Sequence, residues 1–265
     1  MLRLTLGRRW LTASATRHSL QPKVTEQLAQ LVPETSLKPI HARPTQTTSP
    51  SDLTISKLLA AGLHLGHSTS QWNPTTLPYM YGTRQGISII NLEQTLTHLR
   101  RACQVVRDIS YRGGNVLFIG TRPGIGQAMV RAAQHCEGYH VSTKWVPGTL
   151  TNAAQVLGRH STDSDDLFKP DVMVIMNPME NEIALSEAVL HHIPTIALVD
   201  SNYDPRKVTF PIPANDDSIR GVELLARVLS EAAREGLVQR KHAMDLAEKA
   251  NRKPVEKRPN KTYKK

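Results

Sequence analysis

The sequence predicts an α/β domain, a doubly wound sandwich whose central, mainly parallel sheet is flanked by helices. Three features point there. Aliphatic runs recur at Asn115–Gly120 (NVLFIG), Asp171–Asn177 (DVMVIMN) and Pro194–Asp200 (PTIALVD), and a strand with no polar alternation is one buried on both faces. Segments with apolar residues at three-to-four spacing separate these runs, as helical crossovers must. Hydrophobic residues make up 39% of the 265 residues, which suffices for one large core once the ends are set aside.

Residues 1–20 contain Arg3, Arg8, Arg9 and Arg17, interleaved with Leu2, Leu4, Leu6, Trp10 and Leu11, and no acid precedes Glu26. An arginine-rich, acid-poor, amphipathic start is the compositional mark of a mitochondrial targeting segment, the alternative being a plain basic arm. Residues 21–51, with Pro33, Pro39, Pro44 and Pro50 and few aliphatics, read as an extended or disordered linker. The domain proper is expected over 52–236. It opens with a short helix capped by Ser51 or Asp52, with Leu53, Lys57, Leu58 and Ala61 at helical spacing. Tyr79–Tyr81 and Ile87–Ile90 flank Gly82–Gly86 and suggest a hairpin.

A long helix follows from Asn91 through Leu92, Leu96, Leu99, Cys103, Val106 and Ile109, stopped by Gly113-Gly114. The rest alternates. Strands are expected at 115–120, 139–144, 171–177 and 194–200. Helices are expected at Ile125–Cys136, after Thr149, at Glu182–His191 and at Asp216–Glu235. Residues 237–265 read as a basic tail.

Lys and Arg total 33 against 23 Asp and Glu, a net charge of +10. The excess sits at the ends. Residues 1–50 hold seven basic and two acidic residues, and 240–265 hold ten and three. The body between them is nearly neutral. A basic tail suits a polyanion, because each neutralised phosphate releases condensed cations; a solvated tail kept for solubility is the alternative. Lys249, Arg252, Lys253, Lys257 and Arg258 are its candidate contacts. The longest apolar run, Val172–Met176, falls far short of the ~20 residues of a membrane-spanning helix. Two cysteines, Cys103 and Cys136, cannot build a disulfide framework.

The strongest enzyme signal is Gly120-Thr-Arg-Pro-Gly124-Ile-Gly126 after a strand, with Tyr203 and Lys207 four apart. Closely spaced glycines before a helix can cradle a pyrophosphate, as in short-chain dehydrogenases. Pro205 stands between Tyr203 and Lys207, however, and would break the helix that must carry both. No acidic residue closes the second strand to hold a ribose. The glycines are better read as a tight strand-to-helix turn, and no catalysis is expected. His64 and His67, like His191 and His192, lack the further ligands that a metal needs at sequence-neighbour spacing, so no metal site is expected either.

A binding reading does better. His64, His67, Trp72 and Asn73 lie in a polar loop with few acids, and Lys144, Trp145, Thr149 and Asn152 form a second group where a strand meets a helix. Such side chains bond phosphate and 2′-hydroxyl oxygens or stack on bases. Arg84, Arg112, Arg122, Arg206 and Arg220 add charge in loops and at helix ends. Each could equally be a solvated surface charge, and Trp72 and Trp145 could be packing anchors.

Six blocks, in order, resemble one family. They are LLAAGLHLGHSTSQWNPTTLPYMYGTRQGISIINLEQT from Leu58, GGNVLFIGT from Gly113, WVPGTLTN from Trp145, PDVMVIMNP from Pro170, IPTIALVDSNYDP from Ile193 and FPIPANDDSIRGVELL from Phe210. Together they resemble the small-subunit ribosomal protein S2 family, in its mitochondrial form, over about residues 53–235. The resemblance implies an α/β sandwich without catalytic activity, set between head and body of the small subunit. The implied partners are small-subunit ribosomal RNA and neighbouring ribosomal proteins, in the mitochondrial matrix. It implies no self-association and no cofactor beyond magnesium carried by the RNA. Under it Asp200, Asn202, Asp204, Asn215 and Asp216 look like loop-locking residues, since Asx side chains bond nearby backbone; Asp216 or Asp217 would also cap the helix of Arg220.

Three positions depart from the family pattern. Asn152 reaches Pro170 without room for the helical hairpin that bacterial members insert there. Arg122–Gly126 replaces a basic, Gln-rich turn, and Val146-Pro147 stands where Leu-Gly or Gly-Gly is common.

Overall fold

The computed structural model describes residues 52–156 and 169–251. The expected targeting segment and linker, and the residues beyond Asn251, lie outside these residues. So do residues 157–168, where the bacterial helical hairpin is expected to be absent.

A short helix, α1 (Ile55–Ala60), leads into a three-stranded antiparallel sheet of β1 (Leu65–Ser68), β2 (Met80–Arg84) and β3 (Ile87–Ile90) in the order β1-β3-β2. The hairpin is as expected. The preceding helix starts later than expected: its N-cap is Thr54, whose side chain makes no capping bond. Strand β1 was not expected, because its sequence, LGHS, carries no strand pattern. It forms by pairing Leu65 with Ile89 and Ser68 with Ile87.

Helix α2 (Leu92–Arg112) begins where the Asn91 side chain accepts from the Glu93 N–H and ends at Gly113, whose φ of 89° is left-handed. That conformation is one only glycine adopts without strain. The chain then alternates β4 (Val116–Ile119), α3 (Gly126–His135), β5 (Tyr139–Val141), α4 (Ala153–Val156), β6 (Val172–Ile175), α5 (Glu182–Leu190), β7 (Thr195–Val199), β8 (Phe210–Pro213) and α6 (Ile219–Asn251). The five strands from β4 onward are parallel, in the order β5-β4-β6-β7-β8.

Alternate residues of the central strands enter two cores, which is why β4 (VLFI) and β6 (VMVI) contain no polar residue. Val116, Phe118, Val174, Ile196 and Leu198 face α2, α3 and α6. Leu117, Ile119, Met173, Ile175 and Val199 face α5 together with Trp145 and Leu150. The sheet is therefore covered on both sides. Gly236 lets α2 and α6 approach closely, since a Cβ there would lie 2.3 Å from the Arg107 carbonyl oxygen.

Strand β8 was not expected, because Pro211 and Pro213 interrupt it. It pairs with β7 alone, and prolines are tolerated on an edge strand. Helix α6 starts three residues later than expected and continues past Glu235 to Asn251. Neither Asp216 nor Asp217 caps it. The Ser218 hydroxyl does so, accepting from the Gly221 N–H at 3.3 Å while donating to the Ala61 carbonyl at 2.7 Å.

Candidate nucleic-acid interface

Parallel strands deliver the segments that follow them to one edge of the sheet. Here that edge collects Gly120–Arg122, Ser142–Trp145, Met176–Asn181, Asp200–Asp204 and Ala214–Asp217. The chain passes from β4 outward to β5 on one side and from β6 outward to β7 on the other, so a crevice is expected between β4 and β6, where α/β proteins bind nucleotides. Amides fill it. The Asn177 amide donates to the Thr121 hydroxyl (2.9 Å) and to Glu180 (2.8 Å), and the Asn181 amide donates to Thr121 (3.0 Å) and to the Asn177 carbonyl (2.9 Å). Gly120 leaves no room either, since a Cβ there would meet Met129 at 2.7 Å.

Tyr203 is buried, and burial pushes its phenol up to about 12, with Glu182 and Asp204 adding to the rise. Its would-be partner Lys207 lies in a 3₁₀ turn, Pro205–Lys207, and is bonded to Glu182. A catalytic tyrosine needs the opposite shift.

The loop after β7 is clasped by the polar loop around β1. The His67 N–H donates to the Ser201 hydroxyl (2.9 Å) and the Asn73 N–H to the Ser201 carbonyl (2.9 Å). The turn after β8 is tied to the segment ahead of β1: the Asn215 N–H donates to the Leu63 carbonyl (3.2 Å) and its amide to the Gly62 carbonyl (3.1 Å). On the other side, the buried Glu187 of α5 accepts from the N–H groups of Gly148 (2.7 Å) and Leu150 (2.9 Å) and from the Trp145 indole (3.4 Å). One carboxylate thus holds the whole turn that follows β5.

Between these clasps lies a charged cluster. Arg122 donates to Glu180 (3.1 Å), to Asp217 (2.5 Å) and to the Asp216 carbonyl (2.7 Å). His67 stands 3.0 Å from Asp200 through Nδ1 and 3.3 Å from Asp217 through Nε2. Burial pushes the Asp216 carboxyl up to about 6; Arg122 opposes this, while Asp200 and Asp217 reinforce it. Burial also raises Asp200, against the Ser201 N–H and His67, which lower it.

The segments so interlocked are the blocks singled out in the sequence, and comparison with known proteins decides what they are. The family described as ribosomal protein S2 matches over residues 58–167 and 164–236. The chain belongs to the ribosomal protein S2 family. It is 49% identical over 199 residues to the "small ribosomal subunit protein uS2m" of Schizosaccharomyces pombe, covering 69% of this chain and 76% of that one. It is 46% identical over 211 residues to the protein of the same name from Neurospora crassa, covering 73% of this chain and 49% of that one. The "small ribosomal subunit protein uS2" of Chloroflexus aurantiacus is 34% identical over 233 residues, 74% of this chain and 98% of the relative.

In this S2 chain the expected contact residues divide in two. Arg84, Lys144, Arg206 and Arg220 are exposed, as are Trp72 and Asn152, and Lys249 is exposed on α6. His67, Asn73, Arg122, Trp145 and Thr149 are engaged within the protein. Trp145 is 5% exposed and cannot stack on a base; it is the packing anchor of its turn. Arg122 is held by three acids. Asn73 caps a 3₁₀ helix by accepting from the Thr75 N–H (3.0 Å), and the Thr149 hydroxyl donates to the Val146 carbonyl (2.6 Å). His64 is half-buried. Arg252, Lys253, Lys257 and Arg258 lie outside the described residues.

Of the expected locks, Asp200 accepts from Ser201 N–H (2.5 Å), Asp204 from Arg206 N–H (3.0 Å) and Asn215 from Asp217 N–H (2.8 Å). Asn202 reaches only the Met179 sulfur at 3.7 Å, and Asp216 binds Arg122 rather than its own turn. Sequence reading missed Glu187, Ser201 and Ser218, whose partners lie far away in the chain.

Proposed function

We propose that this chain is a structural component of the mitochondrial small ribosomal subunit. In this reading it acts in the matrix as a single copy without catalytic activity, and it binds small-subunit ribosomal RNA at the junction of head and body. The observation that carries the reading is the interlocking of the family's signature blocks with one another. Their side chains are spent on holding a loop edge in one shape rather than on lining a reaction cavity. Exposed arginines and lysines stand on that edge, so recognition would combine a fixed contour with phosphate contacts.

The fungal relatives are named as mitochondrial small-subunit proteins, and the acid-poor start suits import. No helix among the described residues is long and apolar enough to cross a membrane. The exposed face of α6 and the basic residues beyond it supply the least sequence-specific contacts.

Gradient sedimentation of a mitochondrial lysate containing the tagged chain tests this. Co-migration with small-subunit RNA is expected. A chain that stays at the top of the gradient at every salt concentration contradicts it.

A further inference from the structure

We propose that the outer face of α5 is a protein contact, which takes an uncharged aliphatic surface of a neighbouring small-subunit protein. This rests on the ribosomal reading above. Because α5 joins the parallel strands β6 and β7, it runs back across the sheet, away from the edge proposed to face RNA.

A helix on the surface of a domain buries one side and shows water polar or charged residues on the other. The other long helices do so. Helix α2 exposes Arg100, Arg101, Gln104 and Asp108, α3 exposes Gln127, Arg131 and Gln134, and α6 exposes Arg220, Glu223 and Arg234. Helix α5, EIALSEAVL, is apolar on both sides. Its Ala184, Leu185 and Ala188 are buried in the core beneath it. Yet Ile183 is 53% exposed, Val189 62% and Leu190 69%, with Met179 at 54% in the turn just before.

The polar groups on this face are already engaged. The Ser186 hydroxyl donates to the Glu182 carbonyl of its own helix at 3.0 Å. Glu182, the one exposed charge of α5, is paired with Lys207. The face therefore offers no free cation or donor to a phosphate, and RNA does not suit it. A second copy does not suit it either. The four aliphatic side chains expose on the order of 450 Å², about half of what each partner of a specific complex contributes. That is too little for a dimer standing alone. It suffices beside a partner that other contacts already hold in the same particle, because the cost of bringing the two together is then met elsewhere. Neutral and aliphatic itself, the face calls for the same on its partner.

The test uses the tagged full-length chain assembled into small subunits. A photocrosslinking residue at Ile183 or Leu190 should join one small-subunit protein, through a peptide whose aliphatic residues carry the link, in a product that ribonuclease leaves unchanged. The same residue at Gln127 or Gln134 should not join that peptide. Ile183→Glu/Leu190→Glu should melt at the native temperature and still co-sediment with small-subunit RNA. Its particles should lose the crosslinked protein at least about fivefold relative to the other subunit proteins, since a carboxylate finds no partner in an aliphatic contact. Gln127→Glu/Gln134→Glu, which adds the same charge, should retain it. Crosslinks from α5 to RNA, to a second copy of the chain or to residues 157–168 of the same chain overturn the proposal. So does full retention of the crosslinked protein by the α5 variant, or a melt well below the native one, which would place these side chains in the protein's own core. A native chain that never enters the particle overturns the ribosomal reading, and this proposal with it.

Discussion

The backbone N–H of His67 donates to the Ser201 hydroxyl at 2.9 Å, joining segments 134 residues apart. Ser201 is fully buried, so its removal leaves an amide that water cannot easily satisfy. Ser201→Ala should lower stability by about 1–3 kcal/mol, the cost of one buried donor left without a partner. Urea unfolding monitored by circular dichroism checks this, with the denaturant slope unchanged.

Glu187 should matter more than its place in a helix suggests. Its carboxylate satisfies two backbone N–H groups and an indole in the turn from Trp145 to Leu150. Glu187→Ala should destabilise by roughly 3 kcal/mol and red-shift Trp145 fluorescence as the turn opens. Glu187→Gln keeps one acceptor and should fall between it and the native chain.

Gly236→Ala should destabilise the fold although alanine is the better helix former by about 1 kcal/mol. The added methyl would stand 2.3 Å from the Arg107 carbonyl oxygen and 3.0 Å from Ser110 Cβ. A backbone carbonyl cannot move aside, so α2 and α6 must separate. A thermal melt higher than that of the native chain would contradict this contact.

Both thiols should be inert in the folded protein. Burial pushes Cys103 and Cys136 up to about 12, so at pH 8 only about one thiol in ten thousand is the reactive thiolate. Alkylation by iodoacetamide should proceed at the rate of unfolding and accelerate in urea. Fast labelling under native conditions would show that α2 or α3 opens locally.

The strands from β4 to β7 and helix α2 are legible in the sequence because each is specified locally. Their aliphatic runs, the Asn91 cap and the Gly113 stop need no distant partner. Strands β1 and β8 are not, since LGHS and FPIP become strands only through the neighbours they pair with. The end of α6 is hidden for another reason: residues 237–249 are good helix formers but largely exposed, so charge made them look like a tail.

The site divides along the same line. Asp204 and Asn215 bond backbone two residues on and announce themselves as turn residues. Arg122 and Trp145 look like ligand contacts until their intramolecular partners, Asp216, Asp217 and Glu187, are placed beside them.

In the proposed role, the edge at the C-terminal ends of the parallel strands faces RNA. Photocrosslinking residues introduced at Lys144 and Arg206 on that edge, and at Tyr111 and His192 near the opposite one, test it most directly in assembled mitochondrial small subunits. All four positions are exposed. Crosslinks to ribosomal RNA from Lys144 and Arg206, in clear excess over Tyr111 and His192, are the predicted result. RNA crosslinks from Tyr111 and His192 alone would contradict it.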